Sequence, residues 1–587
     1  MDMRWNLDDL YTSFESDEFL RDFELAKQEV KDRNSWAKEN LKSSENAMQK
    51  LEMFINRGNE FKLFQKIGSY ANLAGSVDDE NEAAKKYLDI FRTELADLAV
   101  SEVMFNSFVG SLSNLQELID ASPILKEHEF MLTEIMKNNK YMLSEKEEII
   151  LAKYRTTGSM AWSNMRNQIT STLKIDVMVE GEEKSLPLTA VRNLAYSANA
   201  QTRKAAYFAE QQGYEEVEKP TAAALNSIKG EALTNVKLRG YKDALDMTLV
   251  NYKMQKETLD AMLSSMESFL PSFRRFYKKK AQILGHSGSL PFYDIFAPVG
   301  KVDLTFSYAE AKDFIIENFN IYSKEMGDFA RHAFDNNWLD VEVRDGKRGG
   351  AFCHNLHSIG QSRIMSNYDG SFSNLTTLAH ELGHAYHGYC LKNVPFLKSS
   401  YSMPIAETAS TFCETLITDA AIKNADKEQA FAILQEQISD SLQVIVDIYS
   451  RFVFESNLFA KRESGPLSVS EINELMLSAQ IKAYGDGLDK EYLHKYMWIN
   501  KPHYYAAHNN FYNFPYAYGL LFSLGLYAQY LKEGKGFVPK YNELLAATGS
   551  NTLEKIGDLA GIDVRKSDFW NLSLKLVEEK VDKFCSY

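Results

Sequence analysis

His380, Glu381 and His384 stand in the pattern His-Glu-x-x-His, a grouping whose chemistry none of its members has alone. On a helix, a four-residue step departs from a full turn by about 40°, so both imidazoles project from one face and can hold one divalent ion. Glu381 falls on the adjacent edge, in reach of a water at that ion but not of the ion itself, which is the place of a general base. An oxygen ligand is available 23 residues beyond His384, at Glu407. Two histidines and a glutamate leave the fourth position to water, the arrangement of a catalytic rather than a structural site, with one Zn2+ per chain. Glu407, Ser410, Thr411 and Glu414 are spaced to share one face of an otherwise apolar helix, and Glu414 is expected to orient a ligand histidine from outside. His387 is the other candidate third ligand. Three histidines on consecutive turns spread over roughly 4.5 to 10 Å of helix axis, too far to converge on one ion, so His387 is assigned an outer packing or hydrogen-bonding role.

A second concentration of polar chemistry runs from Lys501 to Gly519, with His503, Tyr505, His508, Tyr512, Tyr516 and Tyr518 among asparagines. Hydrolysis of a peptide bond builds an oxyanion, and imidazole or phenol donors near it lower the barrier. His503 and Tyr512 together are the favoured pair. Eight of the 11 histidines lie between His354 and His508, which nominates this half of the chain for the site.

The elements that must position these residues are mostly helices. From about Asp17 to Leu151, apolar residues recur at three- and four-residue intervals, as in Phe23, Ala26 and Val30, and the same spacing returns from about Thr189 to Ile283. Twelve prolines in 587 residues is about 2%, so long helices are rarely interrupted. Ile175, Val177 and Val179 alternate with Asp176 and Met178 before Gly181, a hairpin pattern. A second β-prone island spans Trp338 to Tyr368. Ser371 and Ser373 then cap a helix that carries Leu375 to Leu391.

Composition excludes several function classes. A net charge of −15 opposes nucleic acid or anionic membrane as the main partner. The basic run Arg274 to Lys280 has the spacing of a solvated helix face. The long uncharged stretch Pro502–Leu531 is too rich in His, Asn and Tyr for a membrane span and reads as a buried segment lining a cavity. Four cysteines without a paired spacing, and a start lacking the features of an export signal, lead us to expect a cytoplasmic protein.

Taken together, these residues resemble oligoendopeptidase F, in the thimet-oligopeptidase-like branch of zinc metallopeptidases, over nearly the whole chain. The resemblance rests on Thr377 to His384, on Ala406 to Glu414, on His503 to Tyr505 with Phe511 to Tyr516, on Trp5 to Tyr11 and on Ala198 to Tyr207. It implies that His380, His384 and Glu407 are zinc ligands, that Glu381 is the general base, and that His503 and Tyr512 stabilise the tetrahedral intermediate. Relatives differ in the loop before the tyrosines, so Tyr505 and Tyr516 stay candidates. Gly349, Gly350, Ala351 and Phe352 resemble the edge strand on which such enzymes lay out substrate. The implied fold is mostly α: a helical ellipsoid with a deep substrate channel, a zincin-like HExxH helix and a small β-sheet near the active site. Residues 1–190 are expected to form a helical N-terminal domain and 191–587 the catalytic one. The implied activity is internal cleavage of short peptides by a monomer or small homo-oligomer. A metallocarboxypeptidase on a similar scaffold and a noncatalytic peptide-binding protein are the alternatives.

Overall fold

A computed structural model describes residues 2–300 and 304–587. It is 73% helix and 5% strand, so the mostly α expectation holds. Backbone contacts divide the chain into two compact units of three stretches each: Met1–Lys140, Leu304–Ala420 and Gln529–Ile562 in the first, and Tyr141–Asp303, Ala421–Ala528 and Asp563–Tyr587 in the second. Residues 1–190 are therefore shared between the units, because the chain leaves and re-enters each one, which local composition does not reveal.

In the first unit, β3 (Leu339–Asp340), β4 (Phe352–Leu356) and β5 (Gln361–Met365) form a sheet of order β3-β5-β4. The central β5 pairs parallel with β3 and antiparallel with β4, with Phe352 opposite Met365 and Leu356 opposite Gln361. This leaves β4 on the edge. The N-terminal segment is tied to this sheet: buried Arg363 of β5 donates to the Asn6 carbonyl at 2.8 Å and reaches Asp9 at 3.1 Å. Leu356 of β4 joins the buried cluster of Leu10, Tyr11, Phe14, Phe19 and Tyr70.

The motif helix, Phe372–Leu391, begins where Ser371 accepts from the Asn374 N–H at 3.3 Å, as the cap pattern predicts. Leu375, Leu378, Leu382 and Ala385 are fully buried and fix its rotation. Gly388 carries the contact with the sheet: a Cβ there would lie 2.4 Å from the Asn355 side chain on β4.

In the second unit, β1 (Lys174–Val179) and β2 (Glu182–Pro187) make the expected hairpin, with Val179 opposite Glu182. Glu180 and Gly181 at the tip both have positive φ, 54° and 88°, matching a type I′ turn. Ile175 and Val177 are buried while Met178 is exposed, so the alternation is realised. The 40-residue helix Ala200–Arg239 packs on this hairpin and buries Lys229 against Glu455 of the helix Ile448–Arg462, at 2.7 Å. Lys229 also donates to Asn510 Oδ1 at 2.9 Å. The basic run departs from a solvated face at one position. Lys280 is fully buried and donates to the Ile295 carbonyl at 2.6 Å, and burial pulls its pKa down to about 7. The apolar stretch 502–531 supplies the mostly buried helix Phe514–Glu533. Among the described residues no single helix is long and apolar enough to cross a membrane.

Candidate metal centre

The motif helix crosses the helix Thr408–Asn424 at Gly383. A Cβ on Gly383 would lie 2.4 Å from the Ala409 carbonyl and 2.6 Å from Ser410 Cα, so glycine is what admits so close a crossing. Glu407 does not continue that helix. It sits at the break between the short helix Met403–Ala406 and Thr408–Asn424, with φ −88° and ψ 5°. There its carboxylate meets both histidines, Oε2 lying 3.3 Å from His380 Nε2 and 3.4 Å from His384 Nε2. Two atoms about 2.0–2.1 Å from one ion at a near-tetrahedral angle are about 3.3–3.4 Å apart. Both His–Glu407 separations match that edge, and with all three donor atoms within 4.8 Å of one another the group could hold a single divalent ion, its two nitrogens and one carboxylate oxygen suiting zinc.

Each candidate donor is held from behind. Glu414 Oε2 lies 3.1 Å from His380 Nδ1, so a proton on that nitrogen turns Nε2 inward as the ligand atom. Ser410 donates to Glu407 Oε2 at 2.8 Å, and the Asn355 amide donates to the His384 carbonyl at 3.3 Å. Burial alone would lower the His380 pKa, but hydrogen bonds to Glu407 and Glu414 outweigh it and push the group up to about 10. The same bonds, now from His380 and His384, hold Glu407 well below the usual carboxylate range against the opposing effect of burial. His380 and Glu407 thus form a charge pair, and an ion bound there would take the place of the proton on His380 Nε2. Replacing Glu414 with Ala is expected to weaken ion affinity about 10- to 100-fold, read by competition with a coloured chelator, while saturating zinc restores most turnover.

Glu381 is only 6% exposed. Burial raises its pKa, an effect partly offset by the charges of His380 and His384, and the Cys353 N–H on β4 supports the carboxylate. His387 is fully buried, its Nε2 2.9 Å from the Thr548 hydroxyl and its ring stacked on Tyr401 at 4.1 Å. Burial lowers its pKa to about 3, so it packs as a neutral ring. The edge strand begins at Phe352; Gly349, Gly350 and Ala351 are its approach, with φ +84° at Gly350.

The remaining expected residues belong to the second unit. His503, Tyr512 and Tyr516 are grouped there, with ring centroids 5.2 Å apart for His503 and Tyr512 and 5.7 Å for the two tyrosines. Tyr505 is placed elsewhere. It is 2% exposed, and its ring lies 4.8 Å from the Arg166 guanidinium, in the core rather than with the other three. Sequence reasoning did not assign roles to Tyr401, Asn355 or the Cys353 N–H. Ser410 carried a signal in its one-turn spacing from Glu407, but its hydrogen bond did not.

Residues 193–576 match the model of peptidase family M3, and residues 112–175 match that described as oligopeptidase F. Oligopeptidase PepF of Bacillus subtilis (strain 168) is 25% identical over 592 residues, covering 99% of this chain and 86% of that protein. An oligoendopeptidase F homolog of Lactococcus lactis subsp. lactis is 26% identical and covers 83% of this chain and 79% of its own length. A crystal structure from Chlamydophila abortus aligns with a TM-score of 0.86 at 21% identity, covering 99% and 98% of the two chains. Oligoendopeptidase-F from Enterococcus faecium aligns at 0.70 with 20% identity, covering 96% and 98%. At these identities the structural likeness speaks for the fold.

Proposed function

The chain belongs to peptidase family M3, a metallopeptidase family, and from that premise we propose that it is a zinc-dependent endopeptidase that cuts internal bonds of short peptides. The observation that supports this most is the convergence of His380 Nε2 and His384 Nε2 on one oxygen of Glu407, with the buried carboxyl of Glu381 next to His380 in the chain. His380, His384 and Glu407 would hold the ion. A zinc ion there supplies Lewis acidity, polarising a carbonyl and making water a better acid. Glu381 takes the proton from the attacking water and delivers it to the leaving amine. Edge strand β4 offers backbone groups to an extended peptide, with Phe352 at its start. This reading assigns His503 and Tyr512 to the reacting peptide unit, with Tyr516 grouped beside them in the second unit. The names of the relatives, oligopeptidase and oligoendopeptidase, point to short substrates. Four free cysteines and the acidic charge suit a cytoplasmic enzyme.

The test is turnover of an internally quenched peptide blocked at both ends, before chelation, after chelation, and after one equivalent of zinc. Internal cleavage that is lost and then regained is the expected result. Cleavage of only unblocked peptides, one residue at a time, would move the assignment to a metallocarboxypeptidase. Peptide binding without cleavage in the zinc-loaded protein would leave a binding module.

A further inference from the structure

Behind His503 stands a chain of buried polar side chains. Arg451 carries only donors, so the amide atom of Asn513 that faces its Nη1 at 3.1 Å is the oxygen. That same oxygen lies 3.1 Å from Nδ1 of His503. An oxygen can only accept here, so Nδ1 carries the proton. A flipped amide would set two donors against each other at Arg451, which rules out the alternative. Arg451 is itself fixed by an ion pair with Asp447, whose other oxygen accepts from the Tyr484 hydroxyl at 3.3 Å. Asn513, Asp447 and Tyr484 are 3%, 5% and 1% exposed and the Arg451 side chain 15%, so water has little access to the bonds among them.

A neutral imidazole protonated at Nδ1 presents Nε2 as a lone pair. Burial and the positive charge of Arg451 both lower the His503 pKa, which keeps the ring neutral. In that state His503 cannot donate to an oxyanion. It can accept a backbone N–H, whereas the neighbouring Tyr512 has a hydroxyl to donate. An acceptor and a donor whose rings are 5.2 Å apart match the two polar groups of a peptide unit.

We propose that Asp447, Arg451 and Asn513 lock His503 as its Nδ1-protonated tautomer, so that Nε2 accepts an N–H of the bound peptide and Tyr512 is left as the donor toward the carbonyl. Arg451 and Asn513 are then positioning residues acting through His503. This rests on the reading of His503 and Tyr512 as substrate-facing groups.

The test has two arms. In the first, the zinc-loaded full chain is labelled with 15N-histidine, and the His503 resonances are identified by their loss in His503→Gln. A protonated Nδ1 and a bare Nε2 are expected in the wild type at neutral pH and in Asn513→Asp at a pH high enough to keep its carboxylate-paired ring neutral, with Nε2-protonated ring gained in Asn513→Leu. A bare Nδ1 in the wild type overturns the proposal. In the second arm, single peptide bonds flanking the scissile one are replaced by esters, one position at a time. At one position the wild type should lose about tenfold in kcat/KM, Asn513→Asp should keep that discrimination at a pH where its ring is neutral, and Asn513→Leu should lose it. Equal discrimination in all three proteins also overturns it. If the wild type cleaves no peptide, the first arm still decides the tautomer, and it is the peptidase reading that has failed.

Discussion

Glu381→Gln lowers turnover of the doubly blocked peptide by about 10²- to 10⁴-fold while the protein still binds one zinc per chain. The substitution keeps the shape of the side chain and removes only its ability to take a proton. Glu381 is not among the converging donor atoms, which are His380, His384 and Glu407, so ion stoichiometry should not change. Its burial at 6% exposure and its support from the Cys353 N–H give the carboxyl one orientation, and Gln can occupy the same place. The measurement is kcat beside zinc content on the same preparation. Unchanged turnover would remove Glu381 from the reaction, and lost zinc would make it a ligand.

Lys229→Met destabilises the protein by about 3–5 kcal/mol in denaturant unfolding, because it strands the carboxylate of Glu455, 2% exposed, without a partner. Combining Lys229→Met with Glu455→Leu should recover part of this loss, since burying two apolar side chains replaces two charges. Recovery should stop short by about 1–3 kcal/mol, because Lys229 also donates to Asn510 and the double variant leaves that amide oxygen unsatisfied. The Asn510 backbone carbonyl accepts from the Thr248 hydroxyl at 3.1 Å, so this residue is anchored twice, two positions before Tyr512. A single variant as stable as the wild type would show that the buried pair is hydrated in solution.

What could be read from the sequence was what is local or periodic. The cap at Ser371, the alternation of Ile175 and Val177, and the four-residue spacing of His380 and His384 each lie within one element, and each reappears in the structure. Glu407 was legible as an acid among apolar neighbours, but the break in the helix at that residue was not, because Thr408 and Ala409 are equally at home inside a helix. Tyr505 could not be told from Tyr512 by type or neighbourhood; it is Arg166, 339 positions earlier in the chain, that marks its place in the core. The bond of Asn513 to Arg451, across 62 residues, left no trace in local spacing. Lys280 was misplaced for a related reason: helical spacing sets direction, whereas what lies in that direction is decided by the loop around Ile295.

The crossing at Gly383 bears on how the motif itself should be written. In His-Glu-x-x-His, the two unspecified letters are usually given no weight, yet here Leu382 is fully buried and Gly383 abuts the backbone of the helix that follows Glu407. All five positions are therefore constrained, three by chemistry and two by shape. A pattern search using His-Glu-Leu-Gly-His, with an acid about 23 positions downstream, would discard most chance matches that the shorter pattern admits. It would select chains able to bring that acid to the two imidazoles at all.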